Sequence, residues 1–230
     1  MNQHKTKAIV LSRTNYREAD RIITVITPDF GKVHLIAKGV RALKSKLAGG
    51  IELFSISDIS FIRGRSELAT LTSARLYKYY ASILEDIDRV QLGYDMLKTI
   101  NRTTEDIVEE EYFDLLEASL ESLNNANIPL EISQLWFVCH LMEISGHSPN
   151  LGVYVSGNEA SIDGMRFTFD SDRMSFIPQP EGIYKPNHIK YLRLVLMAKT
   201  PKVMLNVVSG EELIRELLPI AGLMQSHLLR

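Results

Sequence analysis

Between Lys32 and Gly39 apolar and polar positions alternate. Val33, Leu35 and Ala37 fall on one side of an extended chain and Lys32, His34 and Lys38 on the other, with Ile36 the one apolar residue on the polar side. The same period of two predicts strands at 6–14, at 21–27, where Ile, Val and Thr dominate, at 51–62, with Ile51, Leu53, Ile59 and Phe61 sharing a face, and at 67–74. The stretches between them carry turn chemistry: the charged run Asn15–Arg21, then Pro28-Asp29-Phe30-Gly31 with Pro and Gly spaced as in a tight turn, and Arg63-Gly64-Arg65-Ser66. Five short strands joined in this way fit a small closed barrel such as an OB-fold, and an SH3-like barrel would read much the same.

From about Leu76 the period lengthens to between three and four, and Leu76, Tyr79, Tyr80, Ile83, Ile87 and Val90 fall on one helical stripe. A second amphipathic segment covers 109–124, with Tyr112, Leu115, Leu116, Ser119 and Leu123 on one side; its opening Glu109-Glu110-Glu111 suits the positive end of a helix dipole. A third helix starts at Asn127-Ile128-Pro129 and runs to Ser145, where Gly146 stops it; LWFVCHLM within it is apolar nearly all round, which marks a helix surrounded by others. Residues 147–184 read as a loop-rich insert with a small hairpin from Met165–Asp170 and Met174–Ile177. Helices return at 186–198 and 210–229; Ser209 and Glu212 have capping-box spacing, and Pro219 should kink the last helix. The fold class predicted is α+β: a five-stranded OB-fold-like barrel over 1–78, then a mainly α-helical domain over 79–230 that includes the irregular insert 147–184.

Composition changes the picture only when the chain is divided. The 230 residues are 45% hydrophobic with a net charge of −2, as in an ordinary globular protein. Residues 1–80, however, hold fourteen Lys and Arg against six Asp and Glu, a balance of +8, which leaves −10 for the remainder. A basic first third suits a polyanion, and an acidic remainder suits something else. The cations also continue from the strand ending at Gly39 into VRALKSK, where Arg41, Lys44 and Lys46 stand with no acid among them. Several positive charges along one line are what phosphate binding needs.

Candidate chemistry of other kinds is sparse. Cys139 is the single cysteine, which excludes an internal disulfide and any site built on several thiolates; a small buried hydrophobe is its expected role. His140 reads as a hydrogen-bonded core residue rather than a ligand. The acids Glu85, Asp86 and Asp88 read as a wet helical face. No phosphate-binding loop, nucleophile elbow, H-E-x-x-H or dinucleotide fingerprint occurs, so no enzyme, cofactor or metal is called for. No signal sequence and no long apolar run is present, so a cytoplasmic location is expected.

The order AIVLSRTNYREADRIITVITPDFGKVHLIAKGVRALKSKLAG, with ADR, FGK and AKGVR in place, and later LMEISGHSPNL, resembles the bacterial RecO family of recombination mediator proteins. The resemblance implies an N-terminal OB-fold that binds DNA and a helical C-terminal domain. It implies binding of single- and double-stranded DNA, annealing of strands coated with single-strand binding protein, and help in loading RecA together with the partner RecR, in association with the nucleoid during repair. Two departures matter. Many members carry four cysteines in two C-x-x-C pairs that hold zinc shortly after S-P-N-L, whereas this chain continues Gly152-Val153-Tyr154-Val155-Ser156-Gly157, so a zinc site of that kind is excluded. Near the C-terminus Gln225-Ser226 stands where a basic residue is expected before the Ser, which weakens DNA contact there.

On this reading the phosphates are contacted by Lys32, Lys38, Arg41, Lys44 and Lys46, with Arg13, Arg17, Arg63 and Arg65 at the rim. Tyr16 and Phe30 are the loop aromatics available for stacking, Phe30 serving equally well as a core anchor. Lys185, Lys190, Arg193, Lys199 and Lys202, with Leu192, Val195 and Leu196, form the cluster expected to receive the acidic, aromatic-ended tail of single-strand binding protein. An RNA-binding or transcription-associated barrel adaptor, and an enzyme with an unrecognised site in the helical domain, are the alternative readings.

Overall fold

A computed structural model describes residues 2–64, 68–104, 109–151, 164–208 and 210–229. The alternating first third folds into β1 (Gln3–Tyr16), β2 (Asp20–Thr27), β3 (Gly31–Ala37), β4 (Ser55–Ile62) and β5 (Ala69–Tyr79). Antiparallel pairing joins β1 to β2, β2 to β3 and β4 to β5, while β4 returns to the N-terminal half of β1, from Gln3↔Ile62 to Ile9↔Ile56. A short parallel contact, Leu35↔Ala69 and Ile36↔Thr70, closes the barrel in the order β1-β2-β3-β5-β4. This is the OB-fold arrangement, and it decides between the two barrel classes that alternation leaves open. A register shift between Val10 and Ser12 lets β1 bend enough to serve two neighbours.

Val33, Leu35 and Ala37 point into the barrel together with Ala8, Val10, Ile23, Val25, Ile59, Phe61 and Leu71, as the period of two requires. Ile36, on the opposite side of β3, is buried too, as are Ile9 and Ile26. Two helices account for this: α1 (Ile87–Thr103) packs against β1, and α2 (Glu110–Leu123) against β2 and β3. The near-continuous apolar run Ala8–Leu11 belongs to a strand covered on both faces.

Two expectations are corrected. Residues 51–54 are not part of the fourth strand. A 3-10 turn at Ala48–Gly50 precedes them, and Phe54 has φ 55, so the chain turns before β4 begins at Ser55; Ile51 and Leu53 still reach the barrel core from outside the strand. Gly50 is required there, since a Cβ would stand 2.6 Å from the backbone of Ala74. The helical stripe from Leu76 is also wrong, because β5 continues through Leu76 to Tyr79 and Ile87 is exposed. The buried side of α1 is instead Arg89, Gly93, Met96, Leu97 and Ile100. Asp86 caps α1, its carboxylate accepting from the amides of Asp88 and Arg89 at 2.9 and 3.3 Å.

The chain divides into two compact units, residues 1–126 and 127–230, so α1 and α2 stand with the barrel. The change from strand to helix at Tyr79 does not coincide with the division between units. The buried guanidinium of Arg89 closes the first unit, donating to the carbonyls of Leu123, Asn125 and Ala126 at 2.9, 3.2 and 3.3 Å.

The second unit is built round α3 (Leu130–Ile144), buried on nearly every side; Gly146 beyond it has φ +72, the left-handed conformation of a helix stop. Trp136 Nε1 donates to the Ala198 carbonyl at 2.7 Å, tying α3 to the end of α4 (Pro186–Met197). Helix α5 (Gly210–Leu228) packs on α3 and contains Pro219. The hairpin of β6 (Phe167–Asp170) and β7 (Ser175–Pro178) is held by an aromatic cluster: Phe169 against Phe176, Phe176 against Tyr184, and Phe167 fully buried. The Ser209 half of the expected capping box, and the stretch Gly152–Gly157, lie outside the described residues. No described helix is long and apolar enough to cross a membrane.

Candidate nucleic-acid interface

The turn between β1 and β2 and the long connection after β3 meet at one end of the barrel. Gly39, with φ +64, turns the chain out of β3 and donates its amide to the Asp20 carboxylate at 2.8 Å. The Arg41 amide donates to the Ala19 carbonyl at 2.9 Å and its guanidinium to the Glu18 carbonyl at 3.0 Å, so the two loops are stitched together. Beyond them the segment to Leu47 is a series of tight turns, Ala42 to Gly39, Ser45 to Ala42 and Leu47 to the Ser45 hydroxyl. The result is an exposed collar of Arg17, Lys38, Arg41, Lys44 and Lys46, with Leu43 fully exposed at its tip. Among the described residues none of these five cations is in an ion pair. Arg17 lies over the ring of exposed Tyr16, 5.1 Å from its centroid, so an aromatic is part of the collar.

The other expected contacts are placed elsewhere. Arg13 is engaged by Glu52 at 2.8 Å and by the Ile51 carbonyl at 3.3 Å, which anchors the end of the same connection. Lys32 donates to the Asn101 carbonyl at 3.0 Å in the last turn of α1, where a cation is favoured by the helix dipole. Arg63 stands at the opposite end of the barrel over Phe30 and Phe61, at 5.6 and 5.8 Å from their centroids. Phe30 packs edge-on against both His4 and Phe61, which stack on each other, and is an anchor of the barrel, the second of its two roles above. Arg65 lies outside the described residues.

In the second unit Lys185, Lys190, Lys199 and Lys202 are exposed, but Arg193 is half-buried and donates to the Leu151 carbonyl. Leu192 and Val195, expected to offer an apolar surface beside them, are buried; the exposed apolar residues of α4 are Leu194 and Met197, in line with Lys190 at helical spacing. A cavity of about 770 Å³ lies between α3, α5 and the turn preceding α5, floored by Ile132, Met204, Val207 and Ile214 and rimmed by Glu211, Glu212, Arg215 and Glu216. The described lining contains no histidine, cysteine or hydroxyl group. His188 is buried and bonded on both ring nitrogens, Nδ1 accepting from the Lys185 amide at 2.9 Å and Nε2 meeting the Glu216 carboxylate. Burial pushes the thiol of Cys139 up to about 12, as suits an inert core residue. The single cysteine lies inside α3, so the four-cysteine zinc set that the resemblance describes for many members has no counterpart in this chain.

The family description "Recombination protein O N terminal" matches residues 1–80, the barrel and its collar. A DNA repair protein RecO of Alkaliphilus metalliredigens is 33% identical over 71% of this chain and 67% of its own length. The chain belongs to the RecO family. DNA repair proteins RecO of Dehalococcoides mccartyi, 34% identical over 64% of this chain, and of Rubrobacter xylanophilus, 31% identical over 73%, are further relatives. The matched region spans 58% of the length of the first of these and 67% of the second. The family match spans the collar; the reading of Leu76, Tyr79 and Tyr80 as a helical stripe hid the strand that exposes Arg75, Tyr77 and Tyr79.

Proposed function

We propose that this chain is a DNA repair and recombination mediator that works by binding and annealing rather than by catalysis. It binds single- and double-stranded DNA through the collar Arg17, Lys38, Arg41, Lys44 and Lys46, brings complementary strands together, and helps RecA onto strands coated with single-strand binding protein, with RecR as partner. The observation that carries the reading is that none of these five exposed cations is neutralised by a carboxylate among the described residues, on a loop system braced by hydrogen bonds to its backbone. A braced loop holds its charges in place before the ligand arrives, so less ordering is lost on binding. The family membership supports the same reading, since the relatives bear the name DNA repair protein. In the second unit the acidic tail of single-strand binding protein docks on the α4 face, where Lys190 stands beside exposed Leu194 and Met197, with Lys199 and Lys202 following.

The test is the salt dependence of DNA binding. Changing Arg41, Lys44 and Lys46 together to Ala lowers the log–log slope by about 2 to 3, because each lost phosphate contact removes roughly 0.7 to 0.9. An unchanged slope in the folded triple variant removes the collar from the interface, and tighter binding of RNA than DNA favours the adaptor reading.

A further inference from the structure

The barrel has a second exposed surface of mixed aromatic and cationic character, on the outer side of the β1–β4–β5 seam. Strand register sets it out. Lys7 on β1 is opposite Asp58 on β4, which is opposite Arg75 on β5; one step along, Lys5 is opposite Ser60 and Ser60 opposite Ser73. Tyr77 follows at the point where the register of β4 and β5 shifts, between Ser57↔Leu76 and Ile56↔Lys78. The extra residue of such a shift is turned out of the ladder. Its ring carries the Lys7 ammonium 4.3 Å from the centroid, and 58% of the residue is still exposed. Lys5, Arg75 and Asp58 are exposed as well, and no ion pair joins Asp58 to either cation beside it. Lys78, next to Tyr77, is already paired with Glu121 at 2.8 Å; outside that pair the face has three cations against one acid, a half-exposed tyrosine with Lys7 on one side of its ring, and two serines, Ser60 buried, too small to obstruct an approaching base.

An exposed aromatic beside uncompensated cations on a barrel strand is the combination that binds a single strand: the ring takes a base face, and the cations take the flanking phosphates. A duplex offers no free base face to Tyr77, and an acidic protein partner would need an apolar pocket that the serines do not form. The site is separate from the collar, because Lys7 and Tyr16 lie nine residues apart on one strand, at most about 30 Å at the usual rise since β1 bends between Val10 and Ser12. We infer that the β1–β4–β5 face, centred on Tyr77 with Lys5, Lys7 and Arg75, is a second binding site for single-stranded DNA. The inference rests on the DNA-binding reading above and deepens it: one barrel that holds a strand at each of two places can bring two strands together.

The experiment uses the full chain, an oligodeoxythymidine of roughly 10 nucleotides, in the range one OB-fold covers, and a version carrying 5-iododeoxyuridine for photocrosslinking. The wild-type chain is expected to bind two strands, and the iodinated strand is expected to crosslink to Tyr77 even when Arg41, Lys44 and Lys46 are Ala. Tyr77→Ala weakens one class of site roughly tenfold, the loss of one stacked base, whereas Tyr77→Phe keeps it. The combined change Lys5→Ala, Lys7→Ala and Arg75→Ala lowers the salt slope of that class by about 2. One strand per chain, with Tyr77→Ala and the three-cation variant binding as wild type, overturns this inference and leaves the collar reading standing. A wild-type chain that binds no strand overturns both.

Discussion

His140 shows what burial does to a single residue. Its ring stacks on Trp136 with centroids 4.1 Å apart, and its Nδ1–H donates to the Trp136 carbonyl at 3.0 Å. Burial holds its pKa below the ordinary 6.5, outweighing the carbonyl and nearby Glu143, which act in the other direction. The unfolded chain therefore binds a proton more readily than the folded one as pH falls below 6.5, so the contribution of this residue to stability is complete above that pH and is lost on acidification. Replacing His140 with Gln should reduce the fall in urea midpoint between pH 7 and pH 5; an unchanged pH profile would show that the imidazole is as hydrated folded as unfolded.

At the scale of elements, Arg89 does for α1 and α2 what no apolar residue could. Three carbonyls, one from the last residue of α2 and two just beyond it, converge on one guanidinium that is 8% exposed, with Asp86 at 3.6 Å balancing its charge. Arg89→Ala is expected to destabilise the chain by about 3 kcal/mol, because buried acceptors lose charged donors. Arg89→Lys should recover only part of this, a point charge being unable to reach all three carbonyls as the fork does. Denaturant midpoints of the two variants check it, and equal midpoints would mean that only charge is needed. Gly93 on α1 makes room for Phe54, from the turn before β4, whose ring a Cβ would meet at 2.7 Å, closer than Leu123 of α2 at 3.5 Å.

Over the whole molecule net charge does not follow the division into units: the acids of residues 81–126 stand with the barrel, and residues 127–230 hold nine Lys and Arg against ten Asp and Glu, so the proposed division between DNA on the barrel and protein on the second unit rests on particular side chains. In the second unit Arg193 is engaged with Leu151, so on the proposed reading an acidic tail would meet Lys190, Lys199 and Lys202 beside Leu194 and Met197. Charge reversal of Lys190 and Lys202 to Glu should abolish binding of an acidic peptide ending in an aromatic while leaving affinity for naked DNA nearly intact. Loss of DNA binding with peptide binding retained would reverse the assignment of tasks.

Local pattern was enough for much of this. The period of two in β3, and at Ile59 and Phe61 of β4, predicted which side chains face the barrel, and the apolar run of α3 predicted its central place, because strand and helix geometry turn spacing directly into faces. The collar was legible for the same reason: Lys38, Arg41, Lys44 and Lys46 are close in the chain, and a short exposed loop keeps near neighbours near. Tertiary structure decided what depends on distant partners. Arg13 is claimed by Glu52, Lys32 by the end of α1 and Arg193 by Leu151, all more than thirty residues away and invisible to spacing. Leu76, Tyr79 and Tyr80 imitate a helical stripe, and only pairing with β4 makes the chain a strand as far as Tyr79. That pairing also sets Lys7 over Tyr77, seventy residues on, since a closed barrel must bring its first and last strands to a common neighbour.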